Sequence, residues 1–181
     1  MRLFIDPGAN DFGAAVFTET GGVYRATLVR NEVGPEASAL ARGAGALNGV
    51  LNWLRKVEVP LPSIISTLVE MPFVYPGKKT KNPNSVMLTA AIAGAFAAFG
   101  LDNRKVTSVL PRDWKGGMDG EVFIRKVVQP SCEDGERLKI EHWTAAFPAS
   151  YRHNIWDAVG LGLWQFKRLK SGRVFHGAVD G

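Results

Sequence analysis

Apolar and polar positions alternate in short runs over the first thirty residues. In the first run Leu3 and Ile5 fall on one face, and Phe4 and Asp6 fall on the other. Side chains of a strand point alternately to its two faces, so this spacing predicts β-strands. An Asp-Pro-Gly turn follows the first run, and a Gly-Gly pair separates the second from the third. The pattern therefore predicts an antiparallel meander of three strands at residues 2–6, 11–17 and 23–30.

The remainder of the chain alternates between helical spacing and two further strand patterns. A β-branched apolar run predicts a strand in the middle of a sheet. An Ala-rich apolar stretch at 86–101 is shorter than the ~20 residues of a membrane span, so it predicts a buried helix. The order β-β-β-α-β-α-β-α indicates an α/β fold with a mixed sheet. The predicted elements are strands at 63–71 and 105–110, helices at 36–56, 85–100, 121–129 and 151–170, a broken helix at 131–148, a loop at 72–84 and a turn at 111–117.

Composition and charge narrow the class of protein. With 181 residues, one domain at 1–170 and a C-terminal tail at 171–181 are expected. The ordinary content of 46% hydrophobic and 22% charged residues excludes a disordered chain or a coiled coil. The single Cys132 excludes a disulfide framework and a thiolate zinc finger. A net charge of +5 favours a polyanionic partner. The N-terminus has no signal-peptide pattern, so we expect a cytoplasmic protein, in the host cytoplasm if it is phage-encoded.

Three acidic residues are candidates for a metal-binding site. Asp6 and Glu70 each end a predicted strand, and Asp157 lies within an apolar stripe of the last helix. Ligands of α/β proteins gather at the carboxyl ends of strands, so parallel neighbouring strands would bring two of these acids together. Carboxylates that converge without basic partners repel each other, and a hard divalent cation such as Mg²⁺ or Mn²⁺ relieves that repulsion. Taken singly, Asp6 could form a turn and Asp157 could form a salt bridge.

Two polar residues precede Asp157 on the last helix. His153 and Asn154 lie four and three residues before it, which places all three on one helical face. Imidazole can both bind a metal and accept a proton, so His153 is a candidate catalytic residue and ligand. Asn154 is a second candidate ligand. Their alternative roles are packing or capping for His153 and capping for Asn154.

Four stretches of the chain, in the order of the family, resemble the RuvC-like Holliday-junction resolvases of the RNase H-like superfamily, particularly phage-type members. They are IDPGANDFGAAVF at 5–17, LVEMPFVYPGKKTKNPNSVMLTAAIAGAF at 68–96, VLPRDWKG at 109–116 and HNIWDAVGLGLW at 153–164. The resemblance implies a five-stranded mixed β-sheet flanked by α-helices. It also implies two divalent ions per active site, a homodimer with the Ala-rich helix at its interface, and paired symmetric nicks in a four-way DNA junction.

The resemblance assigns roles residue by residue. Asp6, Glu70 and Asp157 match the metal-binding acids. Lys115 matches a basic position, where it could stabilise charge that develops on a phosphate. Family members generally carry Asp or His three residues before the last Asp, where this chain has Asn154. A neutral residue there would reduce the negative charge of the site, and His153 is the preferred fourth ligand.

Basic and aromatic residues near these acids are candidates for DNA contact. Lysines in the loop after Glu70 would bind phosphates without reading sequence. Aromatic residues in the same loop could stack on a base splayed from a junction, an interaction worth ~1–3 kcal/mol. A solvated polar loop over two tucked aromatics is the alternative. The candidates are Phe73, Tyr75, Lys78, Lys79, Lys81, Arg112, Lys115 and Arg152.

The sequence thus predicts a metal-dependent, structure-selective endodeoxyribonuclease. It would resolve four-way junctions by two-metal phosphodiester hydrolysis, with branched DNA and a second copy of the chain as partners and no membrane. One alternative keeps the chemistry and acts on flaps, forks or packaging intermediates of phage DNA. Another is a non-catalytic junction-binding module, which the neutral Asn154 would favour. A sugar-kinase or actin-like phosphotransferase is a third, for which the chain is too short.

Overall fold

Five strands form one mixed sheet in the order β3-β2-β1-β4-β5. The structure is a computed structural model that describes residues 1–72, 83–99 and 105–170. The first three strands form the predicted antiparallel meander, and the last two run parallel to the central strand β1. The expectation of a five-stranded mixed sheet flanked by helices is therefore confirmed. The strands are β1 (Arg2–Asp6), β2 (Asp11–Phe17), β3 (Val23–Arg30), β4 (Ser66–Glu70) and β5 (Lys105–Val109).

Helices cover both faces of the sheet. A π-helical segment, Ile124–Val128, joins α4 to α5, and single 3₁₀ turns lie at Leu61–Ser63 and Ala149–Tyr151. The helices are α1 (Ala39–Lys56), α2 (Pro83–Phe99), α3 (Pro111–Trp114), α4 (Gly120–Phe123), α5 (Gln129–Ser131), α6 (Asp134–Ala145) and α7 (Arg152–Gln165). Among the described helices, none is long and apolar enough to cross a membrane.

Alternate residues of each strand point to opposite faces of the sheet, and the interior therefore consists of two cores. Leu3 and Ile5 of β1 pack on the side covered by α1 and α2. Phe4 of the same strand packs on the opposite side, against α6, α7 and the segment from α4 to α5. The face of each strand residue is therefore fixed by its parity along the strand. Asp6 has the parity of Phe4, which directs its carboxylate toward the α7 side.

Several helix ends differ from the sequence prediction, and single residues explain the difference. The first helix begins at Ala39 rather than at residue 36, because the Ser38 hydroxyl accepts a hydrogen bond from the Ala41 amide at 3.2 Å and caps it. The last helix ends at Gln165 rather than at residue 170. Lys167 has a φ of 56°, a left-handed conformation that cannot continue an α-helix.

Two predicted segments are more regular than expected, and a third is shorter. The broken helix at 131–148 contains the continuous helix α6, whose start is stabilised by reciprocal hydrogen bonds of Glu133 and Glu136. The predicted turn at 111–117 begins with the short helix α3. The strand predicted at 63–71 is shorter, because Ser63 ends a 3₁₀ turn and the strand begins at Ser66.

The Ala-rich helix α2 is not fully buried, contrary to the prediction. Ile92 and Phe96 lie in the core against α1, but Met87 is 69% exposed. Gly94 is also exposed, with no described atom within 4 Å of the position of a Cβ. The helix therefore has one buried face and one exposed face, and the exposed face is apolar. The loop predicted at 72–84 lies largely outside the described residues, as does the tail at 171–181.

Candidate active site

Two acids stand side by side at the carboxyl end of the sheet. In the parallel pairing of β1 with β4, Ile5 faces Val69, so the next residues, Asp6 and Glu70, end the two strands together. Leu68 and Phe4 belong to the same core, so both carboxylates point to the α7 side of the sheet. The condition under which the sequence would bring these two acids together, parallel neighbouring strands, is thereby met.

The third acid comes from α7, which packs unusually close to β2. A Cβ at Gly13 would lie 1.8 Å from the carbonyl oxygen of Asn154, so only glycine permits this approach. Gly13 is the β2 partner of Asp6. The contact therefore brings the first turn of α7 beside the end of β1. Asp157 is one turn further along the helix and 6% exposed, and it is close enough for its charge to raise the pKa of both Asp6 and Glu70.

A lysine lies between the acids. The Lys115 ammonium is 3.3 Å from Glu70 Oε2 and 3.1 Å from Asp157 Oδ2, and its side chain is only 13% exposed. The acids therefore converge with a basic partner, and their mutual repulsion is partly compensated. The partner follows α3, more than forty residues away from either acid in the chain. An ammonium held by two carboxylates reduces the repulsion that the cluster would otherwise carry.

Trp114, the residue before this lysine, also contacts the acids. Its indole Nε1 donates a hydrogen bond of 2.7 Å to Glu70 Oε2. The ring is fully buried and packs edge-on against Phe123, with the centroids 5.3 Å apart. The Lys115 ammonium lies 4.6 Å from the same ring. The sequence carries no signal for this bond, because a tryptophan's position along the chain does not show where its N–H points.

The electrostatics of the cluster follow from burial and mutual repulsion. Burial, and then the charges of Asp157 and Glu70, raise the pKa of Asp6 well above its ordinary 3.8. Burial raises the pKa of Glu70 and of Asp157 as well, and Lys115 opposes the rise in both. Burial lowers the pKa of Lys115, but the three carboxylates outweigh burial and raise it. The lysine is therefore a permanent cation, whereas the acids hold their protons more tightly than free carboxylates do.

The donor set has the chemistry of a divalent-cation site. Asp157 Oδ1 is buried and has no hydrogen-bond partner among the described residues. Such an oxygen is unfavourable unless something positive reaches it. Three carboxylates supply the oxygen ligands that Mg²⁺ and Mn²⁺ prefer. As it stands, however, no group of three or more His, Cys, Asp or Glu side chains within the described ranges is arranged to hold a metal ion. Lys115 supplies the positive charge in this arrangement.

His153 and Asn154, the two candidates for the fourth ligand, have different surroundings. His153 is exposed and lines a groove of about 510 Å³ between α7 and the segment from α4 to α5. Its charge still lowers the pKa of Asp157. The Asn154 side-chain amide donates a hydrogen bond of 3.3 Å to the carbonyl of Asp11. Asn154 therefore fastens the helix to the end of β2 through its amide nitrogen.

Of the predicted DNA-contacting residues, the structure describes Arg112, Lys115 and Arg152. Arg152 lines the same groove, but its guanidinium donates hydrogen bonds to the carbonyls of Phe147 and Ala145. Arg112 is exposed and lies 3.6 Å from Asp113. The remaining candidates, Phe73, Tyr75, Lys78, Lys79 and Lys81, lie outside the described residues.

A buried arginine near the site was missed in the sequence. Arg42 of α1 is 6% exposed, and its guanidinium donates a hydrogen bond of 2.6 Å to the Ala9 carbonyl and a second one to Asn10 Oδ1. These acceptors belong to the loop that directly follows Asp6. An arginine among the small residues of α1 carries no sequence signal for this contact, because helical spacing alone does not predict which loop it reaches.

The fold and the strand-end acids define an RNase H-like architecture. Among solved structures, the chain is similar to Thermus thermophilus RuvC in complex with a Holliday junction substrate, at 15% identity and a TM-score of 0.52, over 92% of this chain and 96% of that chain. It is also similar to a second Thermus thermophilus RuvC structure, at 15% identity and a TM-score of 0.47, with the same coverage. The first of these two similarities shows that the chain has a RuvC-like fold. No protein-family model and no curated protein matches it.

Proposed function

We propose that the chain is a metal-dependent endonuclease that cuts branched DNA, with the four-way junction as its substrate. The observation that carries the proposal is the convergence of Asp6, Glu70 and Asp157 with Lys115 at the carboxyl end of a RuvC-like sheet. The similar Thermus thermophilus protein is described in complex with a Holliday junction substrate. The sequence motifs at 5–17, 68–96, 109–116 and 153–164 support the same activity.

In this proposal the three carboxylates hold two Mg²⁺ or Mn²⁺ ions. When bound, the ions activate water and stabilise the leaving oxygen of the phosphodiester. Asp157 offers the buried Oδ1 that lacks a partner among the described residues, and Glu70 offers the oxygen opposite Oε2. Lys115, as a permanent cation beside these oxygens, donates a hydrogen bond to a phosphate oxygen and stabilises its added negative charge.

His153 is the proposed proton acceptor. It is exposed, it is one helical turn from Asp157, and the two side chains interact electrostatically. Asn154 is the weaker candidate for this position, because its amide is hydrogen-bonded to Asp11. An imidazole near neutral pH can take a proton from an attacking water, which an amide cannot do.

We assign contact with the DNA backbone to five basic residues. Lys78, Lys79 and Lys81 follow Glu70 in sequence, and Phe73 and Tyr75 lie in the same segment. These lysines would bind phosphates, and the aromatic residues would stack on unpaired bases at the junction centre. Arg112 and Arg152 are assigned to phosphates at the border of the site.

We further propose a homodimer that uses the exposed face of α2. The helix carries no charged residue in its seventeen positions, although Met87, Gly94, Ala97 and Ala98 are exposed. A surface helix without charges on its outer face is typical of an interface. Two copies would place two active sites on one four-way junction, which is the arrangement that paired nicks require.

The test is cleavage of a labelled synthetic four-way junction in Mg²⁺, in Mn²⁺ and in EDTA. Linear duplex serves as the substrate control, and Asp134→Asn, at an exposed position of α6, serves as the matched acid-to-amide control. We expect paired nicks that require metal, spare the duplex, persist in Asp134→Asn and disappear in Asp6→Asn. Junction binding without cleavage in every metal would overturn the nuclease and leave a binding module. Faster cutting of flaps or forks would keep the chemistry and replace the substrate.

A further inference from the structure

Trp114 and Lys115 donate to the same oxygen of Glu70. The indole Nε1 lies 2.7 Å from Oε2, and the ammonium lies 3.3 Å from it. A carboxylate oxygen that accepts two donors has little remaining capacity for a third partner. The other oxygen of Glu70, Oε1, takes part in neither contact. The two donors therefore distinguish the two oxygens of one carboxylate.

The indole that makes this bond is held in a closely fitted slot. Trp114 is fully buried and edge-on to Phe123. On its α7 side, a Cβ at Gly160 would lie 2.7 Å from the ring, so the absence of a side chain there makes room for the indole. Gly160 is three residues after Asp157 on the same helix. One wall of the slot is thus the helix that carries Asp157, and the slot fixes where the N–H points.

We propose that Trp114 is a positioning residue of the cation site. It anchors Glu70 through Oε2 so that Oε1 is the oxygen presented to a divalent ion. This inference rests on the proposed metal-dependent function and names a residue that acts through Glu70. The indole suits this role because it is a neutral donor, so it orients the carboxylate without cancelling the negative charge that attracts the cation. Outer partners of ligating carboxylates typically change metal affinity or activity about 10–100-fold when removed.

The matched variants separate the hydrogen bond from the packing. Trp114→Phe keeps an aromatic ring and loses the donor. Replacement of Trp114 by 3-benzothienylalanine keeps the shape of the indole, with sulfur in place of N–H, and serves if the phenylalanine variant does not fold. Trp53→Phe is the control, since Trp53 lies on α1 on the opposite side of the sheet and is half-buried.

The first readout is independent of cleavage. We expect Mn²⁺ affinity, measured by calorimetry, to fall about 10–100-fold in both Trp114 variants and to stay at the wild-type value in Trp53→Phe. In wild-type protein, the Trp114 indole ¹H–¹⁵N resonance should exchange slowly with solvent and shift in Glu70→Gln. Thermal stability of the benzothienyl variant should remain close to that of the wild type.

The outcomes separate the inference from the function on which it rests. Wild-type Mn²⁺ affinity and junction cleavage in a folded Trp114 variant would overturn the positioning role. A wild type that binds Mn²⁺ without cutting any branched DNA would overturn the nuclease, while the loss of affinity in the variants would still support the role of Trp114. A wild type that binds no divalent cation would overturn both.

Discussion

Gly13 of β2 lies directly against the backbone carbonyl of Asn154 on α7. A Cβ at Gly13 would be 1.8 Å from that oxygen and 3.1 Å from the next backbone nitrogen. Neither neighbour is the flexible end of a side chain, so neither can move aside without shifting the helix. Because Asp157 is on that helix and Asp6 pairs with Gly13, this single contact sets the distance between two of the acids.

A methyl group at Gly13 should therefore damage stability and activity together. We expect Gly13→Ala to lower the free energy of unfolding by about 3 kcal/mol, or roughly 6–12 °C in melting temperature for a domain of this size. Gly135→Ala, on α6, is the control, because no described atom lies near its Cβ position and alanine favours helix by about 0.5–1 kcal/mol. Thermal unfolding of both variants checks the pair. Equal melting temperatures in Gly13→Ala and wild type would contradict the close contact.

Removal of the charge on Asp6 should stabilise the metal-free protein. The folded-state pKa of Asp6 is raised, so the folded state holds a proton that the unfolded state has lost once the pH exceeds 3.8. Stability therefore falls as pH rises through this window and stays lower above it. Asp6→Asn removes that loss at neutral pH. A tenfold change in the acid dissociation constant of this carboxyl corresponds to about 1.4 kcal/mol of stability, or roughly 3–5 °C in melting temperature.

Melting curves of wild type and Asp6→Asn, recorded in EDTA from acid to neutral pH, check this expectation. The two proteins should coincide near the ordinary aspartate pKa of 3.8 and diverge as the pH rises. An Asp6→Asn variant that is less stable at neutral pH would show that the carboxylate is not under electrostatic strain. Asp134→Asn should change little at any pH, since Asp134 is exposed.

Loss of the lysine cation should leave two buried carboxylates without their partner. We expect Lys115→Met to destabilise the metal-free protein by about 3–5 kcal/mol at neutral pH, less in acid, where the acids are protonated. Divalent cation should restore part of this loss, because it replaces the missing charge. Junction cleavage should still fall by about 10²–10³-fold, since the cation beside the phosphate is gone. Calorimetric melting with and without Mg²⁺, together with the cleavage rate, measures both effects. No recovery of stability on adding Mg²⁺ would argue against a cation site.

The Arg42 guanidinium should hold the loop after Asp6 in place. Arg42→Met removes the donors to the Ala9 carbonyl and to Asn10 Oδ1, which should lower stability by about 1–3 kcal/mol. Arg55→Met is the matched control on the same helix, since Arg55 is exposed and a surface change usually stays within about 0.5 kcal/mol. Urea unfolding compares the two variants. A larger loss in Arg55→Met than in Arg42→Met would reverse the expected order.

Cys132 should be unreactive in the folded protein. Burial, with a smaller contribution from Glu136, raises the pKa of its thiol to about 12. The thiol is 7% exposed, and its Sγ donates to the Val128 carbonyl at 3.6 Å. Thiolate is the reactive form, so modification by a thiol reagent should proceed at the rate of unfolding. Fast, stoichiometric modification under native conditions would contradict this burial.

The strands were predictable because their signals are local. Alternation in residues 2–6 and a Gly-Gly turn need no knowledge of distant partners, and Asp6 and Glu70 were found as candidates because each ends such a strand. The helix ends depended on single capping residues such as Ser38 and on the backbone of Lys167, which spacing does not reveal. The continuous apolar stretch of α2 also suggested burial, because such a stretch looks the same in sequence whether a given side faces the core or the surface.

The organisation of the site was less predictable for a different reason. Lys115 was identified as a basic candidate, but its position between Glu70 and Asp157 depends on contacts that span more than forty residues. The hydrogen bond of Trp114 to Glu70 and that of Arg42 to the Ala9 carbonyl are likewise long-range. Side-chain direction across such separations follows from the packed structure and not from residue type.

The two donors to the acid cluster are consecutive residues at the end of α3. This four-residue helix is fixed by its own short-range bonds, from the Lys115 amide to the Pro111 carbonyl at 2.8 Å and from the Leu110 amide to Asp113 Oδ2 at 3.2 Å. It therefore moves as a unit. A small displacement of α3 would withdraw a neutral donor and a cation from the carboxylates simultaneously. The position of this one short helix therefore determines both a hydrogen bond and an ion pair of the acid cluster.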